Sequence, residues 1–149
     1  MSDVTVPTFD PTDFSTDSYV KRIEKPWGYE LHLVPDDLPY MMKLICVNPG
    51  ARLSLQVHDV KRESWTLLDG PGKVIWENNQ GELVETALEP GVGYTCRLGQ
   101  KHRLAAGESG MARIFECSTP EEGNTFRLED DYARPDETPE QRKKERGEA

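Results

Sequence analysis

The sequence predicts one all-β domain, a sandwich or barrel built from short strands. Three observations predict it. The 149 residues suit a single domain with a real core. Only 36% of them are hydrophobic, and 12 glycines with 11 prolines point to a loop-rich chain. Short strand-like runs recur from Tyr19 onward, separated by turn signals.

The elements follow in order. Residues 1–18 are rich in Asp, Thr, Ser and Pro and are expected to form a mobile arm or an extension along an edge. The domain itself is expected over residues 19–134. Strands are expected near 28–34, 41–47, 52–58, 64–68, 73–77, 83–88, 94–98, 103–105 and 112–117. Asp69-Gly70-Pro71-Gly72, Asn78-Asn79-Gln80-Gly81 and Glu89-Pro90-Gly91 punctuate them. Residues 135–149 read as a charged, solvated tail in which Thr138-Pro139-Glu140 marks a helix start.

Charge and cysteine usage bound the function. A net charge of −9 argues against nucleic acid and anionic membranes as main partners, although local basic residues can still hold a phosphate. Cys46, Cys96 and Cys117 are odd in number, lack C-x-x-C spacing and each sit in an apolar run. They read as reduced, buried residues of a cytoplasmic protein. The sequence has no apolar run of membrane-spanning length and no signal-peptide pattern. It also lacks G-x-S-x-G, a P-loop and a zinc C-x-x-C pair.

Two stretches fit together as one metal site. The first is Gly50-x5-Gln56-Val57-His58-x4-Glu63-x6-Gly70, and the second is Gly91-x5-Arg97-x-Gly99-x2-His102. They offer two imidazoles, a carboxylate and a side-chain amide oxygen, a set that suits a borderline divalent metal. Residues two apart on a strand share a face, so Gln56 and His58 point the same way. Glu63 opens the next strand after a polar turn, and His102 arrives from a third. Four protein ligands leave one or two positions open, as a catalytic metal needs. The same parity turns Ser54 and Arg52 inward, which makes Arg52 a candidate anion contact. Lys43 and Glu116 carry charge inside apolar runs. His32 reads as structural, Trp27, Trp65 and Trp76 as core or rim aromatics, and Lys61 with Arg62 as a solvated turn.

These frames resemble the two motifs of the cupin superfamily, with Gln56, Arg97 and Ala106 standing where His, Pro and Asn are usual. The resemblance narrows to the cupin domain of type II mannose-6-phosphate isomerases and their small stand-alone relatives. Glu24-Lys25-Pro26-Trp27-Gly28-Tyr29-Glu30 looks like that family's opening strand. Asn48-Pro49-Gly50-x2-Leu53-Ser54-Leu55-Gln56-x-His58, His102-Arg103-Leu104 and the closing Arg127-Leu128-Glu129-Asp130-Asp131-Tyr132-Ala133-Arg134 are also similar. The similarity runs from about residue 22 to residue 134. Asp59-Val60-Lys61-Arg62 departs from the His- and Arg-rich stretch of the enzymes and is closer to the stand-alone members.

The resemblance implies a double-stranded β-helix barrel of two antiparallel sheets and a homodimer. It implies one divalent metal on Gln56, His58, Glu63 and His102. Zinc is the first choice, with manganese, nickel, iron and cobalt as alternatives. The implied activity is a sugar-phosphate isomerisation through an enediol, acting on a phosphorylated sugar. Glu116 is the candidate base, and Lys43, Arg52 and Arg127 are candidates for the phosphate and sugar oxygens. Two alternatives stay open: a non-catalytic cupin that binds a sugar or carboxylate, and an iron-dependent oxygenase using the same ligands.

Overall fold

The structure, a computed structural model, describes residues 4–13 and 15–148. Residues 1–3, 14 and 149, at the expected arm and tail, lie outside the described residues. In chain order the strands are β1 (Lys21–Lys25), β2 (Gly28–His32), β3 (Met41–Val47), β4 (Leu55–His58), β5 (Glu63–Asp69) and β6 (Gly72–Glu77). β7 (Leu83–Ala87), β8 (Tyr94–Cys96), β9 (His102–Ala106), β10 (Ala112–Ser118) and β11 (Thr125–Glu129) follow, and helix α1 (Pro139–Glu145) comes last.

The strands form two antiparallel sheets, one ordered β1-β2-β3-β10-β5-β8 and the other β11-β4-β9-β6-β7. This is the two-sheet barrel the motifs imply. All nine expected strands have a counterpart, but β1 and β11 were not expected as strands. β1 has only Ile23 buried, so no apolar run marks it. β11 is inverted: Phe126 and Leu128 face solvent while Thr125 and Arg127 face the interior. A reading that looks for apolar residues on the inner face misses such a strand.

The reason for the inversion lies in the barrel interior, which changes character along the strands. At one end Val47 and Ile45 of β3, Ala112 and Ile114 of β10, and Trp65 and Leu67 of β5 pack against Val74, Leu104 and Ala106 of the other sheet. At the other end the same strands turn inward Lys43, Glu116 and Glu63, joined by Glu30 and His32 of β2. Register keeps the charges together, since Lys43 lies opposite both His32 and Glu116, and Glu63 lies opposite Ser118. Gly70 closes the β5–β6 turn at φ 85°, where a Cβ would sit 1.9 Å from the Met111 carbonyl oxygen. Only glycine meets both demands.

The segment expected to be a solvated tail is instead held against the barrel. Thr138 caps α1, its hydroxyl accepting from the Gln141 N–H at 3.1 Å, as its sequence led one to expect. Before the helix, Glu137 pairs its backbone with Thr125 in both directions. Arg142 is buried and donates to the carbonyls of Glu121 and Gly123, both at 3.1 Å. Arg127 of β11 reaches Glu145 at 2.7 Å and Glu137 at 3.2 Å. Composition alone marked this segment as tail-like, and its anchors are ionic rather than apolar.

The strap so formed predicts an acid response. Burial pushes the Glu145 carboxyl up, but hydrogen bonds from Arg127 and Gln141 outweigh it and bring the pKa from 4.5 down to about 2. The folded value lies below the unfolded one, so the stabilisation is complete above pH 4.5 and is lost as pH falls towards 2. The melting temperature should therefore fall across that window. Glu145→Gln should flatten the dependence, as measured by calorimetry at a series of pH values.

Candidate metal centre

β4 and β9 are neighbours in one sheet, and Gln56 of β4 lies directly opposite His102 of β9. Alternation along β4 puts His58 on the same side as Gln56. β5 belongs to the other sheet, and its first residue, Glu63, faces across the barrel. The four expected metal ligands thus converge from three strands. Glu63 Oε1 lies 2.8 Å from His102 Nε2 and 3.1 Å from His58 Nε2. The Gln56 amide nitrogen lies 3.4 Å from the Nε2 atom of each ring. Both histidines and Glu63 are buried.

The contacts behind the donors suit a divalent ion. His102 Nδ1 sits 2.9 Å from the Gln100 carbonyl oxygen, and His58 Nδ1 sits 3.0 Å from Thr125 Oγ1. Both rings are therefore anchored at Nδ1 and present Nε2 to the centre, the arrangement metal-binding imidazoles adopt. Gln56 Oε1 accepts from Ser54 Oγ at 2.7 Å. A half-turn of the amide gives the carbonyl oxygen to the centre and the NH2 group to the Ser54 hydroxyl, which accepts as readily as it donates. The residues fit a metal of mixed nitrogen and oxygen preference.

Electrostatics favours the ligating forms of Glu63 and His58, whereas the His102 ring must give up its Nε2 proton to a metal. Burial pushes the Glu63 carboxyl up, but the Lys61 ammonium and the two rings hold it well below the usual carboxylate range. Burial pushes His58 down. His102 is raised to about 10: burial opposes the charged ring, and the Cys96 sulfur and Glu63 carboxylate overcome it.

Other expected residues fall in different places. Lys43 and Glu116 both line the cavity beside the donors, 3.6 Å apart. Arg127 also lines the cavity, but two carboxylates of the strap already hold its guanidinium. Arg52 is a correction. It lies half-exposed outside the barrel, clamped by Asp131 at 2.8 and 2.9 Å. Parity fails because the ladder is interrupted before β4, and the consecutive residues Leu53 and Ser54 both line the cavity. Arg103 points away from the centre, its Nε donating to the Leu53 carbonyl at 2.9 Å. Cys46 and Cys96 are buried as expected, whereas Cys117 is exposed on the outer face of β10. Trp27 and Trp65 are core residues.

Lys61 is a site residue that its sequence context marks first as part of a solvated turn. Its side chain is only 11% exposed, and Nζ lies 2.8 Å from Glu63 Oε2 in an ion pair that lacks hydrogen-bond geometry. It also donates to Glu116 Oε2 at 3.2 Å. Its position two before Glu63 was the available signal, since both share a face if the strand direction starts early. Thr125, Cys96, Glu121 and Arg146 were missed. They reach the site through tertiary contacts that no local spacing encodes.

The geometry can now be set beside known proteins. Residues 13–134 match the family model described as mannose-6-phosphate isomerase C-terminal. The chain belongs to that family. Within it, the xanthan biosynthesis protein XanB of Xanthomonas campestris pv. campestris is 30% identical over 117 residues, which cover 76% of this chain and 24% of XanB. The alginate biosynthesis protein AlgA of Pseudomonas aeruginosa is 30% identical over 116 residues, which cover 76% of this chain and 23% of AlgA. The chain thus spans about a quarter of the length of these curated relatives. In fold, it superposes on the crystal structure of a cupin-2 domain from Rhodospirillum rubrum with a TM-score of 0.59 at 13% identity, covering 84% of this chain and 81% of that one. The mannose-6-phosphate isomerase C-terminal fold of this chain is a cupin β-barrel. No helix among the described residues is long and apolar enough to cross a membrane.

Two substitutions test the centre. His58→Ala and His102→Ala should each lower zinc affinity by at least about 100-fold, while the β-sheet circular dichroism persists because the apolar end of the barrel is untouched. Thr125→Val should cost about tenfold, by freeing the His58 ring. Metal content after dialysis and competition with a chelating dye give these values.

Proposed function

We propose that the chain is a metal-dependent sugar-phosphate isomerase of the mannose-6-phosphate type, exchanging an aldose for a ketose through an enediol. Glu116 carries this reading. It is a buried carboxyl in the cavity that Gln56 and His58 also line, with its pKa raised to about 7. Burial is the main cause and the Glu63 carboxylate adds to it, while Lys61 and Lys43 pull the other way. A base that moves a proton between carbons works best when it titrates near neutrality. The family supports a sugar substrate, as do the relatives named for xanthan and alginate biosynthesis.

In this reading Glu116 takes the proton from C2 of the aldose and returns it to C1. The hydroxyl proton at O2 passes to O1, so the exchange is neutral overall. Lys61 flanks Glu116 at 3.2 Å and holds the sugar oxygens where negative charge develops. Trp65 Nε1 donates to Glu116 Oε1 at 3.4 Å and orients the carboxyl. A divalent metal on Gln56, His58, Glu63 and His102, zinc in the first instance, would polarise the carbonyl when bound.

One observation favours a second reading. The cavity measures about 60 Å³, against the roughly 300 Å³ or more of common small-molecule sites. A hexose phosphate enters only if side chains move. A cupin that binds a smaller sugar or a carboxylate without turnover asks less of the interior. Interconversion of mannose 6-phosphate and fructose 6-phosphate by the zinc, manganese, nickel and cobalt forms separates the two. Absence of turnover in every metal-loaded form would leave the binding reading. Where turnover occurs, Glu116→Gln should lower kcat by about 10²–10⁴ with metal content unchanged.

A further inference from the structure

The charged end of the barrel is a row in which sign alternates. Starting at the metal donors, Glu63 pairs with Lys61, Lys61 with Glu116, Glu116 with Lys43, Lys43 with Glu121, and Glu121 with Arg146. Glu63, Lys61, Glu116 and Lys43 stand on strands or immediately before one. Glu121 does not. It belongs to the β10–β11 loop and sends its side chain inward, while the adjacent Glu122 is exposed. Its two oxygens bind separate cations: Oε1 accepts from Lys43 Nζ, and Oε2 accepts from Arg146 Nη2.

The loop is pinned on both sides of Glu121. Thr119 exchanges two hydrogen bonds with Arg62, both at 3.0 Å. Asn124 donates twice to the Asp59 carboxylate, at 2.7 and 2.8 Å. Gly123 makes this possible: at φ 67°, a Cβ there would lie 2.3 Å from Asp59 Oδ1. Arg142 holds the Glu121 carbonyl from the strap. The backbone around Glu121 is therefore held by contacts that do not involve its side chain.

What the Glu121 side chain would leave behind is cationic. Six basic side chains line the cavity, Lys25, Lys43, Lys61, Arg127, Arg134 and Arg146, against four carboxylates including Glu121, and Glu63, Glu145 and Asp130 hold Lys61, Arg127 and Arg134 from outside that lining. This holds in a chain whose net charge is −9. With Glu121 gone, Lys43 keeps Glu30 at 3.4 Å and Glu116 at 3.6 Å, whereas Arg146 keeps no ion pair among the described residues. Buried cations in that position draw in another oxyanion.

We propose that Glu121 is a built-in occupant of an oxyanion subsite formed by Lys43 and Arg146, and that a phosphate or carboxylate group of the ligand takes its place. Exchange moves one carboxylate out and one oxyanion in: a carboxylate keeps the buried charge balance, and a phosphate adds up to about one further negative charge. It also enlarges the small cavity at the end of the row opposite the metal donors. That the ligand is a sugar phosphate rests on the function proposed above; the exchange itself does not.

The test needs no turnover and so separates the two ideas. Inorganic phosphate and acetate are titrated by calorimetry into the zinc-loaded wild-type chain and into Glu121→Ala. The variant should bind one of them at least about tenfold more tightly, because the wild-type subsite is free only in the fraction of molecules with Glu121 swung out. The anion that gains identifies the ligand's chemistry. Adding Lys43→Met or Arg146→Met to Glu121→Ala should abolish the gain. The proposal is overturned if the folded variant binds neither anion more tightly, or if the gain survives loss of either cation. Should Glu121→Ala fail to fold, the isosteric Glu121→Gln decides by the same comparison.

Discussion

The Lys43 ammonium, buried inside the six-stranded sheet, is the constraint that organises this barrel. A charge so placed loses its water and is tolerated only with opposite charge in contact. Glu30, Glu116 and Glu121 supply it from β2, β10 and the β10–β11 loop. Each of those carboxylates then needs its own partner, which brings in His32, Lys61 and Arg146. The chain of obligations reaches the metal donors at Glu63 and the C-terminal strap at Arg146. The strap is therefore part of the cavity wall, although its residues contribute little apolar surface.

The apolar end of the barrel does a different job. Trp65, Ile45, Ile114 and Val74 close-pack there with almost no exposure. That packing joins the two sheets, and Trp65 links it to the charged end through Glu116 and His102. Glu63, a candidate metal donor, belongs to the row of charges and not to this core. The division also explains why the site has room for so little. Side chains that serve one another, rather than empty space, fill the polar end.

Much of this was legible in the sequence, and the misses share a cause. The convergence of Gln56, His58, Glu63 and His102 was legible because local spacing and parity along β4 place them. The nine expected strands were found because runs of strand-forming residues between turn signals mark them, whichever face those residues take. β11 was missed because its interior positions are polar and its apolar residues face out. Arg52 was misplaced because parity holds only along an unbroken strand, and the chain slips between Leu53 and Ser54. Lys61 looked like a solvated turn, and residues 135–149 like a tail, because charge normally signals exposure. Here the charges are buried against each other, and only the fold brings the partners together. The family resemblance supplied the topology, but it carried no information about which carboxylate faces which lysine.

The alternating row has a consequence for how such a barrel can change over time. Replacing one member leaves its neighbour buried without a counter-charge, a costly state. Replacing two neighbours of opposite sign keeps the balance and leaves the apolar end undisturbed. Lineages can therefore drift along the row by paired steps, swapping a lysine and a glutamate together while the scaffold stays the same. Each such pair redraws the pattern of charge that an incoming molecule meets. Ligand preference can diversify in this way without a matching loss of stability, and two descendants with the same metal donors can come to hold different molecules.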